Sequence, residues 1–320
     1  MRRPEVSALI VTYNSSHVIG DCLSALGSDH EVIVYDNAST DETVALIEQK
    51  FPHCSVIAGD RNLGFAGGVN KAAEQATGRN IMLLNPDAII AAEDVRILAE
   101  TVVSTHGGIV APLIHTDGVR VAAAGRMPTA WAMVTHYFGL SRVFRNRKQF
   151  RGHYLLPDQV GASVVSTEWV TGACLMVEAA TWWRVGGLDE RWFMYAEDIE
   201  FCWRVGRAGG EVVIQPLAHA HHLVGSSNGK ARVETNSAWV LNLYDFYCND
   251  LAESAVQRVW WGLSVGCGLR FRALVFLVQS LMHPAADHRR SAREFRDHST
   301  AVFGALTASA DDRWLRSARS

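Results

Sequence analysis

Short runs of apolar, largely β-branched residues alternate with amphipathic stretches along the first third of the chain. The runs predict four strands, at residues 6–13, 31–35, 54–58 and 81–84. The intervening stretches predict helices, at residues 17–26, 43–50 and from about 62 to 76. Because strands and helices alternate, the pattern indicates an α/β fold with an open, mostly parallel twisted sheet flanked by helices.

Small polar or acidic side chains stand where these predicted strands end. They are Thr12, Asn14, Asp36, Asp41, Asn62 and Asp87. Each one alone is only a turn former, and Asp87, which follows Asn85 and Pro86, has the alternative role of capping the next helix. Open α/β sheets, however, bind ligands at the carboxyl ends of their strands. The positions therefore predict a polar ligand site at one edge of the sheet.

A glycine-rich stretch at residues 64–68 follows the third predicted strand. It lacks the G-x-G-x-x-G spacing of dinucleotide-binding proteins, which disfavours a nicotinamide-dependent dehydrogenase. Closely spaced glycines at the start of a helix instead let the backbone approach a phosphate or a sugar.

Composition narrows the class of protein. With 320 residues, 48% of them hydrophobic and 20% charged, the chain is long enough for an α/β domain with an appendage. A net charge of −3 gives no basic field, so we expect no nucleic-acid partner. Six cysteines stand singly without a CxxC pair, which argues against a zinc knuckle and a disulfide framework. The first residues lack the apolar region of a signal peptide, from which we expect a cytoplasmic protein.

The predicted sheet belongs to a domain of residues 1–228. Within it, residues 129–160 show no regular period and include a basic run at residues 142–151. We interpret them as a variable loop. The basic run is either a solvated surface or a site that attracts a diphosphate lipid or an anionic membrane.

Residues 229–320 predict a helical C-terminal extension. An aromatic-rich helix is expected at residues 232–251, followed by an apolar stretch at 256–281 that Arg270 and Arg272 interrupt. Its unbroken apolar runs are shorter than the ~18 residues of a helix that spans a membrane. The stretch is therefore either a buried helix pair or an element that lies in the membrane interface, where Trp and Arg side chains are well placed.

Several short motifs follow one another along the chain. They lie at residues 11–14, 35–41, 61–70, 84–87, 169–175, 186–190, 196–200 and 221–226. In this order they resemble the signature of family 2 glycosyltransferases of the GT-A fold, and they are most similar to those of bacterial rhamnosyltransferases. The resemblance covers residues 6 to about 227. It implies a nucleotide-sugar donor, an inverting transfer and a divalent cation.

The resemblance also implies which residues bind the donor. Matched motif by motif, they are Thr12, Asn14, Asp36, Asn62, Gly68, Asn85 and Asp87. Thr12, Asn14 and Asp36 would hold the nucleotide. Asn62 and Gly68 would line the base and the ribose. A carboxylate accepts the N3 hydrogen of uracil and of thymine equally, so Asp36 alone does not separate UDP from dTDP donors.

A magnesium or manganese ion is implied at the end of the fourth predicted strand. Asp87 matches the aspartate of the family's DXD-type metal motif, although Asn85 stands where many members have the first aspartate. Asn85 can still offer a carbonyl oxygen or orient a metal-bound water. An oxygen-rich site that also meets a diphosphate suits either ion.

Three histidines, His219, His221 and His222, follow a strand predicted at residues 211–215, in an expected loop at 216–227. A lone histidine is more often a packed or capping residue than a ligand, but three within four positions strengthen the ligand interpretation. By match to the family pattern, His221 is favoured as a metal or phosphate contact, with His222 as the alternative.

Two acidic residues, Glu197 and Asp198, begin a predicted amphipathic helix. Acids at a helix N-terminus are stabilised by the helix dipole, so capping alone explains their presence. The resemblance implies instead that Asp198 is the general base, with Glu197 as a second-choice base or as a partner that orients the loop. An inverting displacement needs such a carboxylate to take the proton from the acceptor hydroxyl.

The resemblance predicts an inverting glycosyltransferase that moves L-rhamnose from dTDP-rhamnose to a polyprenyl-diphosphate-linked sugar such as N-acetylglucosamine, in cell-wall or polysaccharide synthesis. We expect it to be peripheral on the inner face of the bacterial cell membrane. Both a monomer and a homo-oligomer are compatible with the sequence. One alternative is a UDP-sugar-dependent transferase with another polysaccharide acceptor. Another is a non-catalytic nucleotide-sugar-binding subunit, against which the presence of both Asp87 and Asp198 argues.

Overall fold

The computed structural model of the protein describes residues 4–116, 118–121, 123–223, 236–283 and 286–307. The chain forms two compact units. The first unit comprises Met1–Gly125, Leu156–Phe193 and Glu197–Ala231, and the second comprises Arg126–Leu155, Met194–Ala196 and Arg232–Ser320. Most of the expected variable loop is therefore grouped with the C-terminal helices and not with the predicted sheet.

The described strands all belong to the first unit. They are β1 Val6–Thr12, β2 Glu31–Asp36, β3 Ser55–Ala58, β4 Asn80–Leu84, β5 Ala88–Ile90, β6 Ile109–Thr116, β7 Val119–Arg120, β8 Ala124–Gly125, β9 Val165–Thr167, β10 Trp169–Val170, β11 Cys174–Glu178 and β12 Val212–His222. Every residue of β1 and β4 is buried, which explains why these strands have continuous apolar runs instead of alternating patterns.

The large sheet has the strand order β3-β2-β1-β4-β11-β6-β12-β5, with β7 beside β6 and β9 beside β12. Strands β3, β2, β1 and β4 are parallel neighbours, and β12 is parallel to β6. Strand β11 runs antiparallel to both β4 and β6 and joins the two parallel parts. The expected α/β fold with a mostly parallel sheet is confirmed. The carboxyl ends of β1, β2 and β4 consequently lie at one edge.

Helices occur in both units. They are α1 Ile19–Leu26, α2 Thr43–Lys50, α3 Gly64–Ala73, α4 Ala92–Val102, α5 Ala130–Tyr137, α6 Leu140–Val143, α7 Ala179–Val185, α8 Glu197–Arg207, α9 Ala238–Phe246, α10 Ala255–Met282 and α11 Ala286–Thr307. Helix α1 illustrates how those of the first unit pack. It buries Ile19, Cys22, Leu23 and Leu26, whose spacing of three and four residues places them on one face.

Strand β12 is longer than the sequence predicts. It continues from Val212 to His222 past an irregularity of register between Gln215 and His219. Pro216 cannot donate to the ladder, and a bulge accommodates it without ending the strand. The expected loop over residues 216–222 is therefore wrong, and the end of the histidine motif, residues 224–226, lies outside the described residues.

The second unit consists of helices and connecting turns in the part that the structure describes. The segment in which the sequence showed no period contains α5 and α6. The Thr129 side chain caps α5 by accepting from the N–H of Ala132 at 3.2 Å, and α5 packs against α10. Contact with a helix distant in sequence, and not a local period, thus supports this segment.

Helix α10 runs for 28 residues. Trp261, Val265 and Leu269 recur at four-residue intervals on its buried side. Trp261 stacks on Tyr244 with ring centroids 5.2 Å apart and donates from Nε1 to the carbonyl of Pro128. Among the described residues, α10 is the helix that is long and apolar enough to cross a membrane, although 44% of its most apolar 18-residue window is buried within the protein.

Candidate functional site

Thr12 and Asp36 end two neighbouring strands, β1 and β2, which pair these residues in register. Both side chains are buried, and the Thr12 hydroxyl donates to Asp36 Oδ1 at 2.9 Å. The backbone N–H of Ser39 donates to Asp36 Oδ2 at 2.7 Å, so both carboxylate oxygens are held in place. A carboxylate fixed in this way is a suitable acceptor for the N–H edge of a base.

Asn14 connects the end of β1 to the loop after β2. Its φ of 52° lies in the left-handed region, which asparagine tolerates better than most residues. Its Oδ1 accepts from the backbone N–H groups of Thr40 at 2.8 Å and of Asp41 at 3.3 Å. The neighbouring Tyr13, which we did not single out in the sequence, is 49% exposed and offers an aromatic face at this edge.

Asn62 shapes the loop before α3. Its Oδ1 accepts from the N–H of Gly64 at 2.9 Å, and Gly64 has a φ of 77°, which favours glycine. Asn37 has no role in the sequence-based prediction, yet it is buried and donates from Nδ2 to the carbonyl of Gly64 at 3.0 Å. Its Oδ1 also accepts from the N–H of Leu63 at 2.9 Å. The loop at Asn62 is thereby fastened to the end of β2.

Gly68 is buried where α3 approaches β1 and β2. A Cβ at this position would lie 2.8 Å from Val11 Cγ1 and 3.2 Å from Tyr35 Cδ1, so a larger residue would push α3 away from the sheet. Packing of the helix on the sheet is therefore one reason for glycine here. The expected contact of Gly68 with the base or the ribose stays a prediction.

Asp87 follows β4 and is 4% exposed. Strand β5 pairs with β12 so that Ala88 lies opposite His222, which brings the end of β12 beside Asp87. His222 Nε2 is 3.1 Å from Asp87 Oδ1 and 3.4 Å from Asn85 Nδ2. Three polar side chains from two strand ends thus meet at one point.

His221 faces a different group of residues. Successive side chains of a strand point to opposite faces, and the His221 ring lies 5.2 Å from the ring of His115 on β6. His115 Nε2 is in turn 3.1 Å from His219 Nδ1. Burial lowers the pKa of His115, and positive charge on the neighbouring His219 and His221 lowers it further. His222, the alternative in the sequence analysis, is therefore the histidine beside Asp87. His221, which the family pattern favoured, faces His115 instead.

Asn85, Asp87 and His222 form a donor set that suits a small divalent cation. The separations of 3.1 and 3.4 Å from His222 Nε2 are close to those between adjacent ligands of an ion with bonds of about 2.1 Å. The Asn85 amide can present Oδ1 in place of Nδ2, since these atoms are assigned from hydrogen bonding. No group of three His, Cys, Asp or Glu side chains within the described ranges forms a metal site, so ligand oxygens would complete the shell.

Asp198 is the second residue of α8. Its Oδ2 accepts from the N–H of Gly172 at 2.9 Å, and its Oδ1 accepts from the N–H of Ile199 at 2.8 Å. Burial raises the pKa of Asp198, and the hydrogen bonds from Gly172 and Ile199 counteract part of that effect. The side chain nevertheless keeps some exposure, whereas Glu197 is only 4% exposed. Access for an acceptor therefore favours Asp198 over Glu197 as the base.

A single turn connects Asp198 with the cluster of Asn85, Asp87 and His222. Gly172 donates to Asp198, and the carbonyl of the next residue, Ala173, accepts from the N–H of Asn85 at 2.9 Å. Cys174 then begins β11, which pairs with β4. The candidate base and the candidate metal ligands are thereby brought into one region at the end of β4.

The residues just before α8 have an unusual backbone. Tyr195 and Ala196 have φ values of 72° and 81°, in the left-handed region that side chains disfavour. Asn242 on α9 is buried and donates from Nδ2 to the carbonyls of Met194 at 2.7 Å and of Tyr195 at 3.4 Å. Sequence reasoning missed Asn242 because its partners are almost 50 residues away in the chain.

Asn70 on α3 is a second residue whose structural role the sequence does not reveal. Its Nδ2 donates to the carbonyl of Leu188 and to Glu190 Oε1, each at 2.9 Å. Its Oδ1 accepts from the N–H of Leu188 at 3.0 Å. Asn70 thus holds the loop at residues 186–190, and the only sequence signal was that both stretches carry motifs of the resemblance.

Sequence relatives cover most of the chain. The N-acetylglucosaminyl-diphospho-decaprenol L-rhamnosyltransferase of Mycobacterium tuberculosis (strain ATCC 25618 / H37Rv) is 28% identical over 83% of this chain and 91% of its own length. The rhamnosyltransferase WbbL of Escherichia coli (strain K12) is 24% identical over 70% of this chain and 85% of its own length.

Solved structures show the same fold. The mannosyltransferase PcManGT from Pyrobaculum calidifontis, in complex with GDP-Man and Mn2+, matches with a TM-score of 0.60 at 15% identity, over 96% of this chain and 88% of its own. GalNAc-T7 with UDP, GalNAc and Mn2+ matches with a TM-score of 0.58 at 14% identity. That match covers 93% of this chain and 55% of GalNAc-T7, and both neighbours support the GT-A fold alone.

The sequence model of glycosyl transferase family 2 matches residues 7–166, half of the chain. This range includes the ends of β1, β2 and β4 and all the residues expected to bind the donor. The protein therefore belongs to glycosyl transferase family 2 and is a glycosyltransferase.

Proposed function

We propose that the protein is an inverting rhamnosyltransferase that uses dTDP-rhamnose as its donor. The acceptor is an N-acetylglucosaminyl diphospholipid at the inner face of the cell membrane, in cell-wall or polysaccharide synthesis. The observation that carries the proposal is the turn at Gly172 and Ala173, which contacts both Asp198 and Asn85. The name of the mycobacterial relative, which includes L-rhamnosyl transfer and a diphospho-decaprenol carrier, supports the choice of sugar and acceptor.

Asp198 is the general base of the proposed reaction. Its carboxylate takes the proton from a hydroxyl group of the acceptor sugar while that oxygen attacks the anomeric carbon of the donor. The bond between the anomeric carbon and the diphosphate oxygen breaks, and its electron pair leaves with the nucleoside diphosphate. Attack from the side opposite the leaving group inverts the anomeric configuration.

The environment of Asp198 suits this role. Burial raises its pKa and so increases its affinity for a proton, while the N–H groups of Gly172 and Ile199 fix the orientation of its oxygens. The N-terminus of α8 favours the carboxylate form, so the group remains available as a base. A base must combine both properties, because it has to be deprotonated before the reaction and protonated after it.

Asn85, Asp87 and His222 are the residues that would hold a magnesium or manganese ion together with the donor diphosphate. Such an ion, when bound, neutralises the negative charge that develops on the leaving group. The part burial of His222 and the burial of Asp87 limit competition from water for the donor oxygens. Thr12 and Asp36 would bind the base at the neighbouring strand ends.

A donor panel tests the sugar and the nucleotide. We expect dTDP-rhamnose to bind more tightly than UDP-rhamnose, UDP-N-acetylglucosamine and GDP-mannose when heats of binding are measured with Mn2+ present. The Asp36→Ala variant should lose affinity for every pyrimidine nucleotide, because the N3 hydrogen loses its acceptor. Stronger binding of a UDP-sugar would overturn the assignment of the donor.

A transfer assay tests the chemistry. The acceptor is an N-acetylglucosaminyl diphospholipid with a short, water-soluble chain, and the anomeric configuration of the product is determined by NMR. We expect inversion. A retained configuration would contradict the displacement by Asp198, and donor binding without transfer to any acceptor would instead indicate a binding subunit.

A further inference from the structure

One face of α10 is apolar and open to solvent. Nine of its large apolar residues are between 41% and 77% exposed, and six of them line one side of the helix, namely Val256, Trp260, Leu263, Leu274, Val278 and Leu281. At about 100° per residue, these six side chains fall within a sector of about 60° that runs along a helix roughly 40 Å long. We call these six residues the α10 stripe. Soluble proteins rarely expose a continuous apolar patch of this length without a partner for it.

The opposite face of α10 is packed against protein. Three of its glycines allow close contacts, in which Gly262 faces Leu306, Gly266 faces Phe303 and Gly268 faces Tyr137. Helices α11 and α5 therefore already occupy this side. The α10 stripe is consequently the outward surface of a packed group of helices and not the unfilled half of a core.

The second unit is basic although the chain as a whole is acidic. It contains seventeen Lys and Arg residues against nine Asp and Glu residues, while the whole chain has a net charge of −3. The segment Arg126–Leu155 carries six of these basic residues and no acidic one, and α10 carries three arginines and no acidic residue. The surface around the stripe thus favours an anionic partner.

The basic run at residues 142–151 lies next to α10. Phe138, just before α6, stacks on Phe271 of α10 with ring centroids 5.3 Å apart. Burial lowers the pKa of Arg272 on α10, and the positive charge of Arg142 lowers it further. This effect of Arg142 agrees with the position of the basic run next to α10. Val143 and Phe144 within the run are 72% and 42% exposed. Exposed apolar and basic side chains are therefore interleaved beside the stripe.

We propose that the α10 stripe and the adjacent basic run form a surface that docks flat on an anionic lipid bilayer. The stripe would enter the boundary between head groups and acyl chains, and the basic residues would contact the anionic head groups. This inference deepens the proposed function, on which it rests for the lipid-linked acceptor, by assigning the surface that holds the enzyme at the membrane.

Two other occupants fit less well. A spanning α10 would take its packed partner α11 into the hydrocarbon, but α11 contains Arg289, Arg290, Arg293 and Arg296. A second copy of the chain would bring the same positive charge to the same face, and the stripe offers no acidic residue to balance it. An anionic bilayer satisfies both the apolar and the basic side chains.

Flotation of the full-length protein with vesicles tests the proposal. We expect binding to vesicles of phosphatidylglycerol and phosphatidylcholine, and much weaker binding to phosphatidylcholine alone. The triple variant with Val256→Gln, Leu274→Gln and Leu281→Gln should bind on the order of a hundredfold more weakly. The matched control changes Val103, Val119 and Leu217 to Gln, three residues of the first unit with 63% to 68% exposure, and should bind as the wild type does.

The basic run is tested separately. Removing the charges of Arg145, Arg147 and Lys148 with glutamine should weaken binding by about fivefold for each charge at low salt. The corresponding change of Lys50, Lys71 and Arg79, which are exposed in the first unit, should leave binding unchanged. Equal losses in the two variants would show that net charge, and not this surface, determines binding.

Two further measurements test whether the α10 stripe enters the acyl chains and whether its partner is a bilayer or a second copy of the chain. Brominated acyl chains should quench part of the tryptophan fluorescence, and Trp260→Phe should remove that part whereas Trp183→Phe, at a 55% exposed position of the first unit, should not. A wild-type dimer that ignores anionic vesicles and becomes a monomer in the stripe variant would overturn the proposal in favour of a second copy.

The proposed function can fail independently of this surface. Transfer to the short, water-soluble acceptor does not require a membrane, so the stripe variant should keep it at the wild-type rate. Vesicle binding without any transfer would contradict the proposed function alone, and transfer without vesicle binding would contradict the docking surface alone.

Discussion

The two units of the chain treat apolar and charged residues in opposite ways. The first unit buries complete strands such as β1 and β4 and places polar side chains at their ends. It also carries the excess of acidic residues that makes the whole chain negative. The second unit is basic and leaves one face of its longest helix apolar and exposed. Under the proposals above, the first unit carries the transfer chemistry and the second unit holds the enzyme at an anionic bilayer.

Among substitutions in the first unit, replacement of the candidate base should reduce the transfer rate most. We expect Asp198→Asn to lower kcat by about a thousandfold, within the range that a general base contributes, while the affinity for the donor stays the same. The amide keeps the size and the acceptor oxygen that faces Gly172 but cannot take a proton. Single-turnover transfer rates, with calorimetry for donor binding, provide the measurement.

The control for this prediction is Glu197→Gln, which should reduce kcat far less because Glu197 is almost completely buried. The dependence of kcat on pH adds a second check. Since burial raises the pKa of Asp198 and a base acts deprotonated, kcat should fall with decreasing pH at a value above that of an ordinary aspartate. If Glu197→Gln were the more damaging variant, the two residues would exchange roles.

The candidate metal ligands of the first unit provide the next test. Asp87→Ala should weaken donor binding in the presence of Mn2+ and reduce transfer by at least about a hundredfold, because it removes a charged ligand of a cation that stabilises the leaving group. His222→Ala should cost about ten- to a hundredfold. His221→Ala is the matched control on the same strand and should have little effect, because His221 faces His115.

If His221 and not His222 were the metal ligand, His221→Ala would reduce transfer more than His222→Ala. Titration of Mn2+ into each variant in the presence of the nucleotide separates loss of the ion from loss of the fold. Transfer that survives both Asp87→Ala and chelation would exclude a metal at this site.

The first part of the fold could be predicted because its signals are local. The period of the apolar residues located α2 at its observed bounds and the first four strands to within about two residues. Strands β6 and β11 were not predicted, since their place in the sheet depends on partners far away in the chain. The one-residue register that separates His221 from His222 depends on the bulge near Pro216, which no periodicity reveals.

The candidate site and the second unit show the same limit. Motif order pointed to Asp87 and Asp198, but the residues that hold the neighbouring loops, Asn37, Asn70 and Asn242, contact segments between 26 and 120 residues away. For α10 the sequence indicated an apolar helix. Which side faces solvent was decided by contacts with α11 and α5, which composition does not contain.

Asn242 tests how firmly the second unit holds the residues before α8. Asn242→Ala removes the buried donor to Met194 and Tyr195 and should lower the free energy of unfolding by about 1–3 kcal/mol, because two carbonyls lose a hydrogen bond from a buried side chain. Asn249→Ala is the control, because Asn249 is exposed and its bonds to Asp245 are replaced by water. Urea denaturation measures both, and equal losses would show that the carbonyl contacts of Asn242 contribute little.

The smallest expected effect is a dependence of the second unit's stability on pH. His153 is fully buried and donates from Nδ1 to the carbonyl of Arg126 at 2.7 Å, and burial lowers its pKa from 6.5 to about 4. The unfolded chain therefore binds a proton more readily than the folded one. Stability from this group is complete above pH 6.5 and is lost as the pH falls toward 4, by about 2 kcal/mol at pH 5.

His153→Gln should remove this part of the pH dependence. Denaturation at pH 7 and pH 5 should show a difference in unfolding free energy that is about 2 kcal/mol smaller in the variant than in the wild type. His283→Gln, at an exposed position of the same unit, should leave the difference unchanged. Identical pH dependence in wild type and His153→Gln would mean that the acid sensitivity arises elsewhere, and His136 of the same unit, whose pKa burial lowers to about 3, would then be the residue to replace.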